Sequence, residues 1–88
     1  MVYWVYVLES VSAGCRYVGS TGDLPRRVEQ HNQGLYRYTK GRRPWRLVYQ
    51  EECATRLGAL QRERFFKTGQ GREILKGIIQ QKSSCPVV

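Results

Sequence analysis

The sequence has little cysteine, a single histidine and no long apolar run. Its three cysteines, Cys15, Cys53 and Cys85, include no Cys-x-x-Cys pair, which argues against a disulfide framework and a zinc ribbon. His31 stands alone, whereas a zinc-protease His-Glu-x-x-His motif needs two histidines. No run approaches the ~20 apolar residues of a membrane span, and the first residues lack the basic segment of a signal peptide. These absences predict a cytoplasmic protein that does not enter a membrane.

Acidic residues are also scarce, and this shortage points to a partner. Asp and Glu number 7 against 15 Lys and Arg, so the net charge is +8 and the pI is about 9.9. Such a one-sided charge favours polyanionic partners: DNA, RNA or an anionic membrane surface. The 88 residues suit one domain, which we place at residues 1–82, with 83–88 as a flexible tail.

Hydrophobic patterning predicts three strands and three helices in the order β-β-α-β-α-α. This order is typical of an α+β fold with one three-stranded sheet flanked by helices. Asp23 and Thr55 are placed to cap the first two helices, and Leu57 is among the apolar residues expected to bury the second. The predicted strands are 2–9, 15–20 and 47–52, and the predicted helices are about 24–32, 56–68 and 71–81. Residues 34–46, rich in glycine and arginine, predict an exposed basic loop.

Two phenols are expected on one side of the first hairpin. A turn centred near residues 11 and 12 would place Tyr6 directly across from Tyr17, and opposite residues project to the same face. The pair fits ordinary aromatic packing as well as a site that uses two hydroxyl groups.

The predicted helices add three further candidates. Arg27 and His31 are four residues apart and share a helix face, which is either a solvated stripe or a side that converges on the phenols. Glu63 lies four residues before Lys67 at the edge of an apolar stripe. It is either half of a surface ion pair or a carboxylate held for chemistry.

Four motifs follow one another along the chain: Val5-Tyr6-Val7, Tyr17-Val18-Gly19, Arg27 with His31-Asn32, and Ala59-x-x-x-Glu63-x-x-x-Lys67. In this order they resemble the GIY-YIG nuclease domain across about residues 3–76, and in particular its small stand-alone bacterial members. Two features depart from the family pattern. The first motif has no glycine, and no asparagine follows Glu63 before Lys82, where some members carry one.

The resemblance implies a metal-dependent endonuclease that hydrolyses DNA phosphodiester bonds. It implies one divalent ion, Mg²⁺ or Mn²⁺, held by Glu63, and a single carboxylate suits Mg²⁺ because this ion keeps several waters. Arg27 would bind the scissile phosphate, since its planar fork matches two phosphate oxygens. We favour Tyr6 as the general base and Tyr17 as the residue that positions water or phosphate, although the two roles are exchangeable. His31 would relay a proton, bind phosphate or simply cap its helix.

The basic segment is the expected DNA-contacting surface, because its cations alternate with aromatic side chains. The candidate nucleic-acid-binding residues are Arg37, Lys40, Arg42, Arg43, Arg46 and Lys67. The expected activity is structure-selective cleavage in repair or recombination. The alternatives are a non-cleaving nucleic-acid-binding module of the same fold that acts with a protein partner, and a protein-interaction domain with incidental charge.

Overall fold

The computed structural model describes residues 2–84, with side chains described as far as Ile79. The elements in chain order are β1 (Tyr3–Ser10), β2 (Arg16–Thr21), α1 (Leu24–Asn32), α2 (Arg37–Lys40), β3 (Trp45–Cys53), α3 (Arg56–Phe66) and α4 (Gly69–Ser84). The predicted α+β class and three-stranded sheet are confirmed, and α2 is the one element that the sequence did not predict. The first two residues of the predicted tail, Ser83 and Ser84, lie in α4, and residues 85–88 fall outside the described part of the chain.

The sheet is antiparallel, in the order β2-β1-β3, with β1 in the centre. Tyr6 pairs with Gly19, and Tyr17 pairs with Leu8. The predicted pairing of Tyr6 with Tyr17 is therefore wrong by two residues, because the hairpin closes between Ser10 and Cys15 through a longer turn. A shift of two residues keeps every side chain on its face, so the two phenols still share one side of the sheet.

Because side chains alternate along a strand, β1 has one face toward α3 and α4 and the other toward α1. The first face forms an apolar core with Phe66 of α3 and Leu75 and Ile79 of α4. On the opposite face, Tyr6 and Leu8 pack with Leu24 of α1 and Trp45 of β3. Val5 and Val7, which flank Tyr6 in the first motif, belong to the apolar face.

The predicted helix caps are confirmed. The Asp23 carboxylate accepts a hydrogen bond from the Arg26 amide at 3.3 Å, and the Thr55 hydroxyl accepts one from the Gly58 amide at 3.0 Å. The expectation for Leu57 is wrong, since its side chain is 66% exposed. No helix within residues 2–84 is both long enough and apolar enough to cross a membrane.

The predicted basic loop is also wrong in part, because its middle is ordered by a buried contact. Thr39 of α2 is fully buried, and its carbonyl oxygen accepts a hydrogen bond from the buried indole Nε1 of Trp45 at 2.8 Å. Beyond α2, the buried Ser10 hydroxyl donates to the Arg42 carbonyl oxygen at 2.6 Å. The basic segment is thereby fastened to the end of β1.

Candidate active site

Tyr6 is fully buried on the α1 side of the sheet. Its hydroxyl oxygen lies 2.9 Å from Nε2 of His31. Across the hairpin, a Cβ added at Gly19 would stand 2.5 Å from the same hydroxyl oxygen. The glycine of the second motif is therefore required, because any side chain there would displace the phenol from the histidine.

His31 connects Tyr6 to α2. Its Nδ1 lies 2.9 Å from Oγ1 of Thr39, and this hydroxyl donates to the carbonyl oxygen of Tyr36 at 3.4 Å. If the threonine proton points to Tyr36, Nδ1 carries a proton toward Thr39 and Nε2 accepts the proton of the Tyr6 hydroxyl. The solvated alternative for His31 is wrong, because the residue is only 1% exposed.

The pKa values of this pair move in opposite directions. Burial raises the pKa of Tyr6, the nearby Tyr17 adds to the increase, and the charge and hydrogen bonding of Arg27 oppose it. Burial, together with the charge of Arg27, lowers the pKa of His31 to about 4. At neutral pH the phenol is protonated and the imidazole is neutral, so the imidazole is able to accept a proton.

Arg27 and His31 both lie beside the Tyr36 ring, and the charge of Arg27 lowers the pKa of both Tyr6 and His31. Its guanidinium carbon lies 5.4 Å from the ring centroid of Tyr36. Among the described residues, no carboxylate forms an ion pair with it. Its charge is therefore available to an anion such as a phosphate.

Tyr17 lies between the buried pair and the surface. Its ring centroid is 6.4 Å from that of Tyr6 and 5.1 Å from that of His31. The Lys67 ammonium lies 5.7 Å from the Tyr17 ring centroid. Tyr17 is partly exposed, whereas Tyr6 is fully buried.

Glu63 reaches the same region from the opposite side of the sheet. Its carboxylate accepts hydrogen bonds from the Ser20 hydroxyl at 2.7 Å and from the Lys67 ammonium at 2.8 Å. Ser20 lies on the edge strand β2, so Glu63 approaches the site around this edge. The predicted Glu63–Lys67 ion pair exists, and the carboxylate lies beside β2, the edge strand that also carries Tyr17.

The donor set fits a hard divalent ion held by few protein ligands. Within the described residues, no three His, Cys, Asp or Glu side chains come together as a metal cluster. Glu63 offers carboxylate oxygens with lone pairs beyond those that Ser20 and Lys67 use, and Mg²⁺ commonly binds one or two carboxylates and completes its shell with water and substrate phosphate.

The predicted DNA-binding residues of the basic segment differ in whether an acidic side chain neutralises their charge. Arg42 and Arg43 donate to the backbone carbonyl oxygens of Tyr38 and Lys40, at 3.0 and 2.8 Å, so these bonds leave their charges uncompensated. Arg46 instead lies on β3 and forms an ion pair with Glu9 at 2.6 Å. The remaining two predicted residues of this segment are exposed on α2: Arg37 and Lys40.

Sequence reasoning missed Ser20 and Thr39. Ser20 directly follows Gly19 in β2, and alternation along the strand assigns it to the α3 face, so its contact with Glu63 was open to inference. Thr39 gave no such signal, because the glycines, proline and arginines around it are typical of an exposed loop.

The chain is similar to proteins of known family. The GIY-YIG catalytic domain model matches residues 2–74. The UPF0213 protein of Staphylococcus aureus strain Mu3 / ATCC 700698 and UPF0213 protein SA0446 of strain N315 are each 46% identical over 67 residues, which make up 75% of this chain and 80% of theirs. The solution NMR structure of UPF0213 protein BH0048 from Bacillus halodurans has a TM-score of 0.55 at 33% identity, over 89% of this chain and 85% of that one. With the family model spanning most of its length, this chain belongs to the GIY-YIG nuclease family.

Proposed function

We propose that the protein is a metal-dependent endonuclease that hydrolyses DNA phosphodiester bonds. The observation that carries the proposal is the buried Tyr6–His31 hydrogen bond beside Arg27, whose charge no carboxylate among the described residues neutralises. Ordinary packing of aromatic side chains does not require a hydrogen bond between a neutral imidazole and a phenol. It also does not require a cation that lacks a carboxylate partner. Both features suit a site that moves a proton next to a bound anion.

In this proposal the attacking water enters beside the partly exposed Tyr17, and Tyr6 takes a proton from it while its own proton passes to Nε2 of His31. A free phenol is a poor base at neutral pH, because its pKa is about 10, and burial raises the pKa of Tyr6 further. A stable phenolate at Tyr6 is therefore unfavourable. A concerted transfer, in which the phenol gains one proton as it loses another, avoids this state. The hydrogen bond to Thr39 would keep Nε2 free to accept.

Arg27 would bind two oxygens of the scissile phosphate and stabilise the negative charge that increases in the transition state. Tyr17 would position the water or the phosphate, because it is partly exposed beside Lys67. Glu63, with the Ser20 hydroxyl beside it, would hold Mg²⁺ or Mn²⁺. When bound, such an ion supplies positive charge to the phosphate and to the departing oxygen.

We place the DNA surface along Arg37, Lys40, Arg42 and Arg43. Arg46 and Lys67 are weaker members of this surface, because they form ion pairs with Glu9 and Glu63. These cations suit the phosphate backbone, which carries no base sequence. The role that we propose is to select DNA by its structure during repair or recombination in the cytoplasm, either alone or with a protein partner.

The test is cleavage of linear, nicked, flapped and four-way-junction DNA with Mg²⁺, Mn²⁺ or EDTA. We expect wild type to cut only with metal and Glu63→Gln to lose at least about 100-fold in rate, while DNA binding in EDTA stays within about twofold. Glu52→Gln, which changes an exposed carboxylate on β3, is the matched control and should cut like wild type.

Two outcomes would contradict parts of this proposal. Unimpaired cutting by Glu63→Gln would show that the ion is held elsewhere. Salt-sensitive DNA binding by wild type, with no cutting under any metal condition, would favour the non-cleaving binding module.

A further inference from the structure

A groove of about 690 Å³ is lined by Tyr17, a proposed catalytic residue, and by Lys67, a proposed DNA-binding residue. Its walls come from β2, the end of α3 and the first half of α4, and its floor is apolar. The floor residues are Val18, Phe66 and Leu75. The proposed reaction uses no residue of α4, so this wall of the groove has no role assigned by it.

The rim of the groove is mainly positive. Arg72 and Lys76 are exposed on α4, and both line the groove. They are four residues apart and therefore share one face of the helix. Neither forms an ion pair with a described residue. Two acidic residues, Glu9 and Glu73, line the groove. Glu9 forms ion pairs with two arginines, so Glu73 is the remaining negative charge in the lining.

An exposed aromatic ring stands at the α2 side of the groove. Tyr38 is 50% exposed, and its ring centroid lies 5.7 Å from that of Tyr17. The guanidinium carbon of Arg42 lies 4.6 Å from the centroid of the Tyr38 ring. An aromatic surface next to cations is the combination with which proteins bind single-stranded nucleic acid, because bases stack on the ring while phosphates meet the charges.

The size of the groove limits what it accepts. A site of 690 Å³ is within the range for small-molecule ligands, which suits one or two nucleotides. A B-DNA duplex, whose major groove alone is about 12 Å wide, is far too broad to enter a groove of this volume. An unpaired strand, with its bases free to stack, is the form of DNA that fits.

We propose that this groove binds an unpaired DNA strand next to the scissile phosphate, with a base against Tyr38 and phosphates at Arg72 and Lys76. The position of the scissile phosphate rests on the proposed function, whereas the groove's preference for unpaired DNA does not. The protein would accordingly select branched substrates by holding their single-stranded arm.

The test is binding in EDTA, which separates recognition from cleavage. The probes are a fluorescein-labelled duplex with an unpaired oligothymidine arm and the same duplex with a blunt end, both followed by fluorescence anisotropy. We expect wild type to prefer the arm-bearing probe. Tyr38→Ala should weaken binding of that probe by about tenfold, as the loss of one stacked base predicts, and leave blunt binding unchanged. Tyr38→Phe, which keeps the ring, should retain the preference.

A charge-matched pair of variants completes the test. Arg72→Ala should weaken arm binding severalfold, whereas Arg64→Ala, which removes an exposed arginine of α3 that does not line the groove, should behave like wild type. If wild type shows no preference for the arm, or if Tyr38→Ala and Arg72→Ala keep it, the groove proposal is overturned.

Cleavage assays on the same variants distinguish the two proposals. A wild type that cuts DNA while the groove variants bind normally would retain the proposed function and overturn the groove. A wild type that holds the arm through Tyr38 and Arg72 but never cuts would retain the groove and overturn the nuclease.

Discussion

The two faces of β1 are held by different forces. On the α3 and α4 side, Val5 and Val7 pack against Phe66 and its apolar neighbours, and shape and volume decide stability. On the α1 side, Tyr6 and His31 carry polar atoms into the interior. Among the described residues, every buried side-chain nitrogen or oxygen has a hydrogen-bond partner. The apolar face tolerates changes that conserve volume, whereas the polar face depends on each hydrogen bond. Stability and chemistry should therefore respond to different substitutions.

The largest effect is expected on the polar face, from Tyr6→Phe. This change removes one oxygen and should lower the single-turnover cleavage rate by about 10²- to 10⁴-fold, the usual contribution of a general base. If Tyr6 works through His31, the double variant Tyr6→Phe/His31→Gln should cut no more slowly than the slower single variant. Tyr49→Phe, a phenol on the opposite face of the sheet, serves as the control and should cut normally.

A different ranking of the phenols would reverse the assignment. If Tyr6→Phe cuts at nearly the wild-type rate and Tyr17→Phe does not, Tyr17 is the base and Tyr6 the positioning residue.

The apolar face should show its largest effect in stability. Phe66 is fully buried, and Phe66→Ala should lower the free energy of unfolding by about 3–5 kcal/mol, through lost burial and the cavity left behind. Leu57→Ala on the same helix should change it by less than about 0.5 kcal/mol, because Leu57 is exposed. Urea unfolding followed by circular dichroism measures both. Equal losses in the two variants would contradict the packing described here.

A smaller effect, again on the polar face, is a loss of stability in acid. The pKa of His31 is lowered from 6.5 to about 4, so between these values the unfolded chain binds the proton more tightly than the folded one. The contribution of this residue is complete above pH 6.5 and declines as the pH falls to 4, by about 3 kcal/mol in total. Urea unfolding at pH 7.5, 6, 5 and 4.5 should show this decline.

The matched variant His31→Gln should be less stable than wild type at pH 7.5, with a flatter pH dependence. If the two proteins lose stability in parallel as the pH falls, His31 is not the group responsible.

Sequence patterns that extend over a few residues were enough to predict most helices and strands of the fold. Contacts between residues far apart in the sequence were harder to predict. Asp23 and Thr55 were identifiable as caps because a cap depends on residues a few positions away. The hairpin register depends on the turn between Ser10 and Cys15, whose geometry the composition of the segment does not specify. This is why Tyr17 was expected opposite Tyr6 when it pairs with Leu8.

The same limit applies to the site. The resemblance drew attention to Tyr6, Tyr17, Arg27, His31 and Glu63, whose catalytic roles stay predictions. The structure packs Tyr6, Tyr17 and His31 together and holds Glu63 beside the edge strand β2. The burial of Thr39 depends on its contact with His31, eight residues earlier in another helix. A loop-like composition gives no indication of such a contact.

Asn32, the last residue of α1, affects whether another copy of the protein is able to add a strand to the sheet. The Asn32 side chain accepts a hydrogen bond from the Trp45 amide at 2.6 Å and donates one to the Trp45 carbonyl oxygen at 3.1 Å. It thus makes the two bonds that a neighbouring strand would make, on the open side of the edge strand β3. Unpaired edges of this kind invite other chains to add a strand and aggregate. Asn32 occupies the edge at the first residue of β3, so the helix that carries Arg27 and His31 also blocks the addition of a strand at that point.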